Sequence, residues 1–278
     1  MKHPFHPGPA SPSMAYLLVT HGSRDPRPER ATSELANRVA ARLMERQAAA
    51  VPACAVQSPL LETATLELAE EPLHRQIQHV GDRAQSLGMS QVAIVPLFLL
   101  PGVHVRDDIP QEVALAQQAL GQGVTLHLVP HLGSHPAMAH YLHQCLNETP
   151  AGSHLNPADA GRIVMAHGSR RPGGNQPVEA IARQLDAAPA YWFVPPGLTD
   201  QVQALVARGC RQIRIMPYFL FAGGITDAIA ATVTQMADQY PDVTLLLQSP
   251  LGPAPAIAEM VVDLMTQFQT PATATPVS

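Results

Sequence analysis

The sequence is short of cysteine, lysine and long apolar runs, and each shortage excludes a class of protein or site. Its three cysteines, Cys54, Cys145 and Cys210, are widely separated and form no C-x-x-C pair. This spacing excludes a disulfide-stapled scaffold and the usual zinc and iron–sulfur motifs. Lys2 is the only lysine among 17 basic residues, so an anionic ligand would have to be held by arginine, whose planar fork matches carboxylates.

Positive charge as a whole is also scarce. The net charge is -5 and the pI is about 6.2, which argues against nucleic acid as a partner because phosphate binding needs a basic patch. No apolar run reaches the roughly 18 to 20 residues that cross a bilayer, and the first residues are rich in proline and histidine rather than resembling a signal peptide. We therefore expect a cytoplasmic protein with neither a nucleic-acid nor a membrane partner.

The sequence does contain an internal repeat, with two copies of one module. The segment L-L-V-T-H-G-S-R at 17–24 recurs as I-V-M-A-H-G-S-R at 163–170. V-P-L-F-L at 95–99 recurs as M-P-Y-F-L at 216–220, and L-G-S-H-P at 132–136 recurs as L-G-P-A-P at 251–255. Three blocks in the same order indicate a duplication followed by shortening of the second copy.

Short β-branched runs alternate with longer helical stretches in both copies, which is typical of βαβ units and a parallel sheet. We predict strands near residues 15–20, 53–58, 91–98 and 124–129, and again near 162–166, 190–194, 211–219 and 243–248. Helices are expected near 27–48, 73–87, 109–120 and 136–146, and near 175–186, 198–208, 227–239 and 254–268. The predicted fold class is α/β, with two tandem domains that each hold a mostly parallel four-stranded sheet flanked by helices.

The domain bounds follow from this pattern. Residues 15–147 should form the first domain and 162–269 the second, and the hydrophobic content of 46% is enough to build both cores. Residues 148–161, rich in Pro, Gly, Asn and Ser, are expected to link them. Residues 1–14 and 270–278 are expected to be disordered tails.

Candidate metal ligands follow two strands of the first copy. In open α/β sheets, ligands bind beyond the carboxyl ends of the strands, and His21 and His104 both come after predicted strands. Imidazole suits Fe(II), Co(II), Ni(II) and Zn(II), and a carboxylate commonly completes such a site. Glu67 is the best-placed carboxylate, but spacing alone does not separate it from three others on the same segment: Glu62, Glu70 and Glu71.

The second copy does not repeat this set. His167 stands where His21 does, but alignment of the copies places Trp192 at the position of Glu67 and Ile225 at the position of His104. A His/Glu/His set in one copy corresponds to His/Trp/Ile in the other. This asymmetry predicts that the first copy carries the chemistry and that the second is a degenerate copy that retains the fold.

The motifs that carry these residues resemble those of the sirohydrochlorin chelatases, the two-domain ferro- and cobaltochelatase family. The resemblance rests on H-G-S-R-D-P-R at 21–27, V-P-L-F-L-L-P-G-V-H-V-R-D-D-I-P at 95–110 and P-Y-F-L-F-A-G-G-I-T at 217–226, and it covers residues 15 to about 268. It implies the chelatase fold and the insertion of Fe2+, or of Co2+ on the route to cobalamin, into sirohydrochlorin, an octacarboxylate macrocycle. His21, Glu67 and His104 match the family's metal-handling positions.

The resemblance also implies how the substrates are held. The metal ion is a substrate rather than a tightly bound cofactor, and the macrocycle's carboxylates need donors. The candidates flank the two H-G-S-R segments and His104: Ser23, Arg24, Arg27, Arg106, Arg170 and Arg171. Some relatives carry a metal-binding C-terminal extension, which this tail does not resemble, so no iron–sulfur cluster is expected.

Several alternatives remain open from sequence. No residue discriminates a ferrochelatase from a cobaltochelatase, and a nickel chelatase is a weaker third reading. A non-enzymatic carrier of metal or tetrapyrrole would use the same residues without turnover. A group of five histidines could load metal, although the second copy lacks histidine at the matching positions: His127, His131, His135, His140 and His143. The sequence does not indicate an oligomeric state.

Overall fold

The structure is a computed structural model and describes residues 14–50, 58–147 and 160–267. In the first half the strands and helices are β1 (Met14–Thr20), α1 (Pro26–Ala50), β2 (Leu61–Thr65), α2 (Leu73–Ser86), β3 (Gln91–Pro96), a π-helical turn (His104–Asp108), α3 (Ile109–Leu120), β4 (Thr125–Leu128) and α4 (Met138–Asn147). In the second half they are β5 (Ala160–Ala166), α5 (Gln176–Gln184), β6 (Ala188–Tyr191), α6 (Leu198–Ala207), β7 (Gln212–Pro217), α7 (Gly224–Gln239), β8 (Thr244–Leu247) and α8 (Pro255–Thr266).

The strands form two parallel sheets of four with the same topology. Their orders are β2-β1-β3-β4 and β6-β5-β7-β8. In each sheet the two central strands lead to helices on opposite sides, and the crevice at such a reversal is where open α/β sheets bind ligands. The predicted fold class, two α/β units with four-stranded parallel sheets, is confirmed.

Three buried clusters hold the molecule together. One cluster packs α2 and α3 against the outer face of the first sheet, and another packs α6 and α7 against the outer face of the second. The largest lies between the sheets, where Leu35 of α1, Leu142 of α4 and Val261 of α8 are fully buried. The two halves therefore share a core, in addition to the core that each half has of its own.

Two of the four edge strands, β2 and β6, differ in position from the strands predicted for them. The strand predicted near 53–58 falls largely outside the described residues, and β2 is instead Leu61–Thr65; the strand predicted near 190–194 is β6, Ala188–Tyr191. Both are outermost in their sheets, and β2 buries only Ala64. The other two outermost strands, β4 and β8, lie where they were predicted, so position at a sheet edge does not by itself account for the difference. Beside β2 and β6, but not beside β4 and β8, the neighbouring run of sequence is more apolar than the strand that forms.

Two predicted bounds also shift. Met14, expected in the N-terminal tail, is paired in β1, and Ala160 and Gly161, expected in the linker, are the first residues of β5. Residues 1–13, 148–159 and 268–278, which hold the predicted tails and most of the predicted linker, lie outside the described residues. Among the residues that the structure describes, no helix is both long enough and apolar enough to span a membrane.

Candidate metal site and substrate cleft

The structure brings together the two histidines that follow β1 and β3. The ring centroids of His21 and His104 lie 4.9 Å apart, with the planes at 79°. The two strands are neighbours at the point where the chain reverses direction across the sheet, so residues at their carboxyl ends meet in one crevice. Phe98 lies against both rings, with centroid distances of 6.4 and 6.1 Å.

Glu67 completes a group of three ligands. One ligand atom each from His21, Glu67 and His104 lie within 4.8 Å of one another, and the Nε2 of His21 is 3.8 Å from the Oε2 of Glu67. Two imidazoles and a carboxylate are a common ligand set for divalent transition metals. Within the described ranges this is the one group of three or more such side chains with that geometry.

The backbone fixes Glu67 beside His21. The pairing of β1 with β2 continues past the strand ends, because the N–H of Leu66 donates to the carbonyl of Thr20 and that of Glu67 to the carbonyl of His21. Gly22 adopts a φ of +97°, and a Cβ there would lie 2.0 Å from the Glu67 carbonyl oxygen. A glycine is therefore required for the two loops to approach this closely.

The other candidate carboxylates have different surroundings. Glu62 lies within β2 and accepts a hydrogen bond from Arg83, and Glu71 is paired with His79. Glu70 is exposed on the same loop as Glu67 but is not part of the ligand group. Geometry thus selects Glu67 where spacing did not.

His104 lies in a π-helical turn, where the N–H of Ile109 donates to the His104 carbonyl. Such single turns carry one residue more than an α-helical turn and occur frequently at functional sites. The Nδ1 of His104 is 2.7 Å from the Oδ2 of Asp108, four residues ahead. Sequence reasoning missed Asp108, although an acidic residue at that helical spacing from a candidate ligand was a usable signal.

The second half preserves the backbone but not the ligands. The N–H of Trp192 donates to the carbonyl of Ala166 and that of Phe193 to the carbonyl of His167, as Leu66 and Glu67 do in the first half. The residue at the position of Glu67 is therefore Phe193, and the assignment to Trp192 is wrong by one residue. The ring of Phe193 packs on His167 with centroids 4.5 Å apart.

The difference of one residue arises in the loop before the next helix. Leu73 and Leu198 are the first residues of α2 and α6, and aligning the two copies on these leucines pairs Glu67 with Trp192. The loop from Phe193 to α6 is one residue shorter than the loop from Glu67 to α2, so this pairing is displaced by one residue. Ile225 does correspond to His104, because Gly102 accepts from Arg106 just as Gly223 accepts from Asp227.

A cleft of about 1600 Å³ opens between the halves over the ligand group. Its walls come from the loops that follow the central strands of both sheets. They include His21, Phe98, His104 and Arg106 from the first half and His167, Arg171, Phe219 and Phe221 from the second. The cleft exceeds the roughly 300–1,000 Å³ of ordinary small-molecule pockets, and it is lined by both apolar and charged groups.

The predicted substrate contacts separate into two groups. Arg106 and Arg171 line the cleft, whereas the exposed side chains of Arg24 and Arg170 lie outside its lining. Ser23 is in the lining, but its Oγ accepts a hydrogen bond from the N–H of Asp25 and so also shapes its own loop.

The guanidinium of Arg27, the remaining predicted substrate contact, is engaged within the protein. It donates to both carboxylate oxygens of Asp25 and to both of Asp227, the latter at 2.9 and 2.6 Å. These hydrogen bonds lower the pKa of Asp25 to about 2, lower that of Asp227, and raise the pKa of Arg27. Arg27 thus links the start of α1 to the first turn of α7 across the halves, and we call this contact the Arg27–Asp227 clamp.

The five histidines between 127 and 143 form no metal-ligand group among the described residues. His135 faces Asp263 at 3.6 Å, and His140 and His143 contact Gln144 and Asn147 on their own helix. Burial, with a smaller contribution from Arg106, lowers the pKa of His131.

Comparison with known proteins identifies related sequences along most of the chain. The CbiX family model matches residues 15–149 and 161–268. Sirohydrochlorin ferrochelatase of Priestia megaterium is 26% identical over 187 residues, which are 64% of this chain and 67% of that protein. Sirohydrochlorin cobaltochelatase of the same organism is 25% identical over 255 residues, 89% of this chain and 77% of that one.

A solved structure shares the fold. SirB from Bacillus subtilis with Fe3+ superimposes with a TM-score of 0.67 at 22% identity, covering 92% of this chain and 95% of that one.

Proposed function

Since this chain belongs to the CbiX family, we propose that it is a sirohydrochlorin chelatase, which inserts a divalent metal ion, with Fe2+ favoured, into sirohydrochlorin to make sirohaem. The observation that carries this proposal is the group of His21, Glu67 and His104 at the wall of a cleft large enough for a tetrapyrrole. The enzyme is a lyase in this reading, and both the metal ion and the macrocycle are substrates.

The ligand group has the chemistry that insertion needs. A divalent ion must lose water before the macrocycle nitrogens can bind it, and two imidazoles with a carboxylate can hold a partly dehydrated ion. Insertion also releases two pyrrole N–H protons, one for each positive charge that the divalent ion brings. Imidazole and carboxylate are general bases that could accept protons near neutral pH, so we assign both metal handling and catalysis to His21, Glu67 and His104.

The cleft supplies the contacts for the macrocycle. Phe98 on one wall and Phe219 on the other offer apolar surface to a flat ring, while Arg106 and Arg171 approach from opposite halves. Arginine binds carboxylates through charge-assisted hydrogen bonds, so these two are our candidates for the substrate's carboxylates. Arg24, Arg170 and Ser23 stay secondary candidates, and Arg27 is assigned to the clamp.

A cobaltochelatase of the cobalamin route is the second candidate. The cobaltochelatase relative matches a longer part of this chain than the ferrochelatase relative does, 89% against 64%. The ligand set accepts either ion, because Fe(II) and Co(II) have overlapping preferences. The competing reading of another class is a carrier that binds metal or tetrapyrrole and does not turn over.

The deciding experiment is anaerobic incubation of the purified protein with excess sirohydrochlorin and Fe2+, Co2+ or Ni2+, followed by the visible spectrum. We expect many product molecules per protein, with Fe2+ giving the highest kcat/KM. Glu67→Gln should lose most of this activity, and Glu71→Gln, on the same loop but outside both the ligand group and the cleft lining, is the matched control. A single stoichiometric event without turnover would instead establish the carrier.

A further inference from the structure

The imidazole of His104 contacts the carboxylate of Asp108. Its Nδ1 is 2.7 Å from the Oδ2 of Asp108, and the two side chains are 34% and 41% exposed. Both residues belong to the π-helical turn, where a spacing of four puts them on the same side of the helix. The neighbouring Asp107 lines the cleft and makes no side-chain hydrogen bond or ion pair with the described part of the chain.

This contact determines which nitrogen of His104 is available. A carboxylate oxygen at this distance is an acceptor for an N–H at Nδ1, and such a hydrogen bond leaves Nε2 to bind a metal ion. His21 is arranged alike, because its Nδ1 faces the carbonyl oxygen of Gly22 at 3.2 Å and its Nε2 faces Glu67. Both imidazoles thus present Nε2, one held by a backbone carbonyl and the other by a side chain.

We propose that Asp108 is the positioning residue of the metal site, fixing the tautomer and orientation of His104 so that Nε2 binds the ion that is to be inserted. The inference rests on the proposed function, since it takes His104 to be a metal ligand. A carboxylate that accepts the second N–H of a ligating histidine also makes the imidazole a stronger ligand. Asp108 itself is not among the residues that line the cleft.

The internal repeat supports the pairing of Asp108 with His104. Ile109 and Ile229 are both fully buried, each packed against its own outer cluster. The π-helical turn from His104 to Ile109 has one residue more than the matching segment from Ile225 to Ile229, so Ala228, the residue before Ile229, stands where Asp108 does. The half that lacks the histidine ligand therefore also lacks the carboxylate behind it, and α7 begins there as a regular α-helix.

The test has two measurements on the full-length protein. Co2+ binding without macrocycle is monitored by the d–d absorption of the bound ion, and the tautomer of His104 is determined by long-range 15N–1H NMR. Wild type should show the Nδ1–H tautomer. Asp108→Ala should lose that preference and bind Co2+ about 10- to 100-fold more weakly, the usual cost of removing such a partner. Asp108→Asn, whose side-chain oxygen still accepts, should retain most of the affinity, and Asp107→Ala is the matched control.

A double-mutant cycle separates this inference from the proposed function. If Asp108 acts through His104, Asp108→Ala should have no further effect on Co2+ affinity in a His104→Ala background. Wild-type affinity and tautomer in a folded Asp108→Ala protein, while His104→Ala loses binding, would overturn the positioning role and leave the metal site standing. Wild-type Co2+ binding by His104→Ala would overturn the site itself.

Discussion

The loops that follow β1 and β5 have the same sequence, H-G-S-R, and the same backbone hydrogen bonds, but their histidines face different side chains. His21 and His167 both point their Nδ1 at the carbonyl of the next glycine, at 3.2 and 2.9 Å. What differs is the partner across the crevice, which is Glu67 for His21 and Phe193 for His167. Local sequence thus fixes where a histidine stands, and the residues that follow other strands decide which side chains face it.

The largest expected effect comes from removing each histidine in turn. His21→Ala should reduce Co2+ affinity and insertion by more than the roughly 10- to 100-fold that loss of an outer partner costs, since it removes a direct ligand. His167 packs on Phe193, and neither Phe193 nor Ile225 offers a metal ligand at the positions of Glu67 and His104, so His167→Ala should keep most of the limiting rate. The measurements are Co2+ titration and insertion rate at saturating substrates, with thermal melts to confirm folding.

Equal loss of activity in His21→Ala and His167→Ala would contradict the difference drawn between the two halves. If folded His167→Ala were as inactive as His21→Ala at saturating metal and macrocycle, the site would be shared between the halves rather than built by the first.

The next prediction is the gain of a second metal site in the second half. Phe193→Glu combined with Ile225→His restores the ligand types of the first half at backbone positions that match Glu67 and His104. We expect a second Co2+ equivalent, bound more weakly than the first because α7 lacks the π-helical turn and has Ala228 in place of Asp108. Phe193→Gln with Ile225→His is the control, as it lacks the carboxylate; stoichiometry by titration distinguishes the two. A stoichiometry of one in both variants would show that matching backbone positions are not sufficient.

The same contrast explains how far the sequence alone could lead. The central strands and the rim positions of His21 and His104 could be predicted, because buried parallel strands are strongly apolar and ligands gather at their carboxyl ends. The positions of β2 and β6 were predicted wrongly because a more apolar run of sequence lies next to each of them. The clamp could not be predicted, since Arg27 and Asp227 are 200 residues apart and no local pattern joins them.

A smaller effect tests whether the halves are symmetric in docking the macrocycle although they differ in binding metal. Arg106→Ala and Arg171→Ala should each raise KM by about tenfold, as expected for one hydrogen bond to a charged group, and leave kcat little changed. Arg24→Ala and Arg170→Ala, outside the cleft lining, should have smaller effects, and Arg38→Ala, whose side chain pairs with Glu34 on α1, is the control. A change in kcat alone for Arg171→Ala would place that arginine in the chemical step, contrary to our assignment.

The smallest expected effect concerns the clamp that joins the two unlike halves. The hydrogen bonds from Arg27 lower the pKa of Asp25 from 3.8 to about 2 and also lower that of Asp227. A carboxyl with a lowered pKa in the folded protein stabilises the fold fully above its unfolded pKa, and that contribution is lost as the pH falls through the folded pKa. Wild-type thermal stability should therefore fall between about pH 4 and pH 2 by more than that of Arg27→Ala, in which both carboxyls return toward ordinary pKa values. The difference should be modest and should shrink in high salt, because these groups are exposed. Arg38→Ala is the matched control, since the salt bridge of Arg38 is with Glu34, within α1.

At neutral pH the clamp should matter chiefly for the macrocycle, because it sets the second half over the site of the first, so Arg27→Ala should raise KM while Co2+ affinity stays unchanged. Parallel acid-stability curves for Arg27→Ala and wild type, with an unchanged KM, would mean that the shared core alone holds the halves in register.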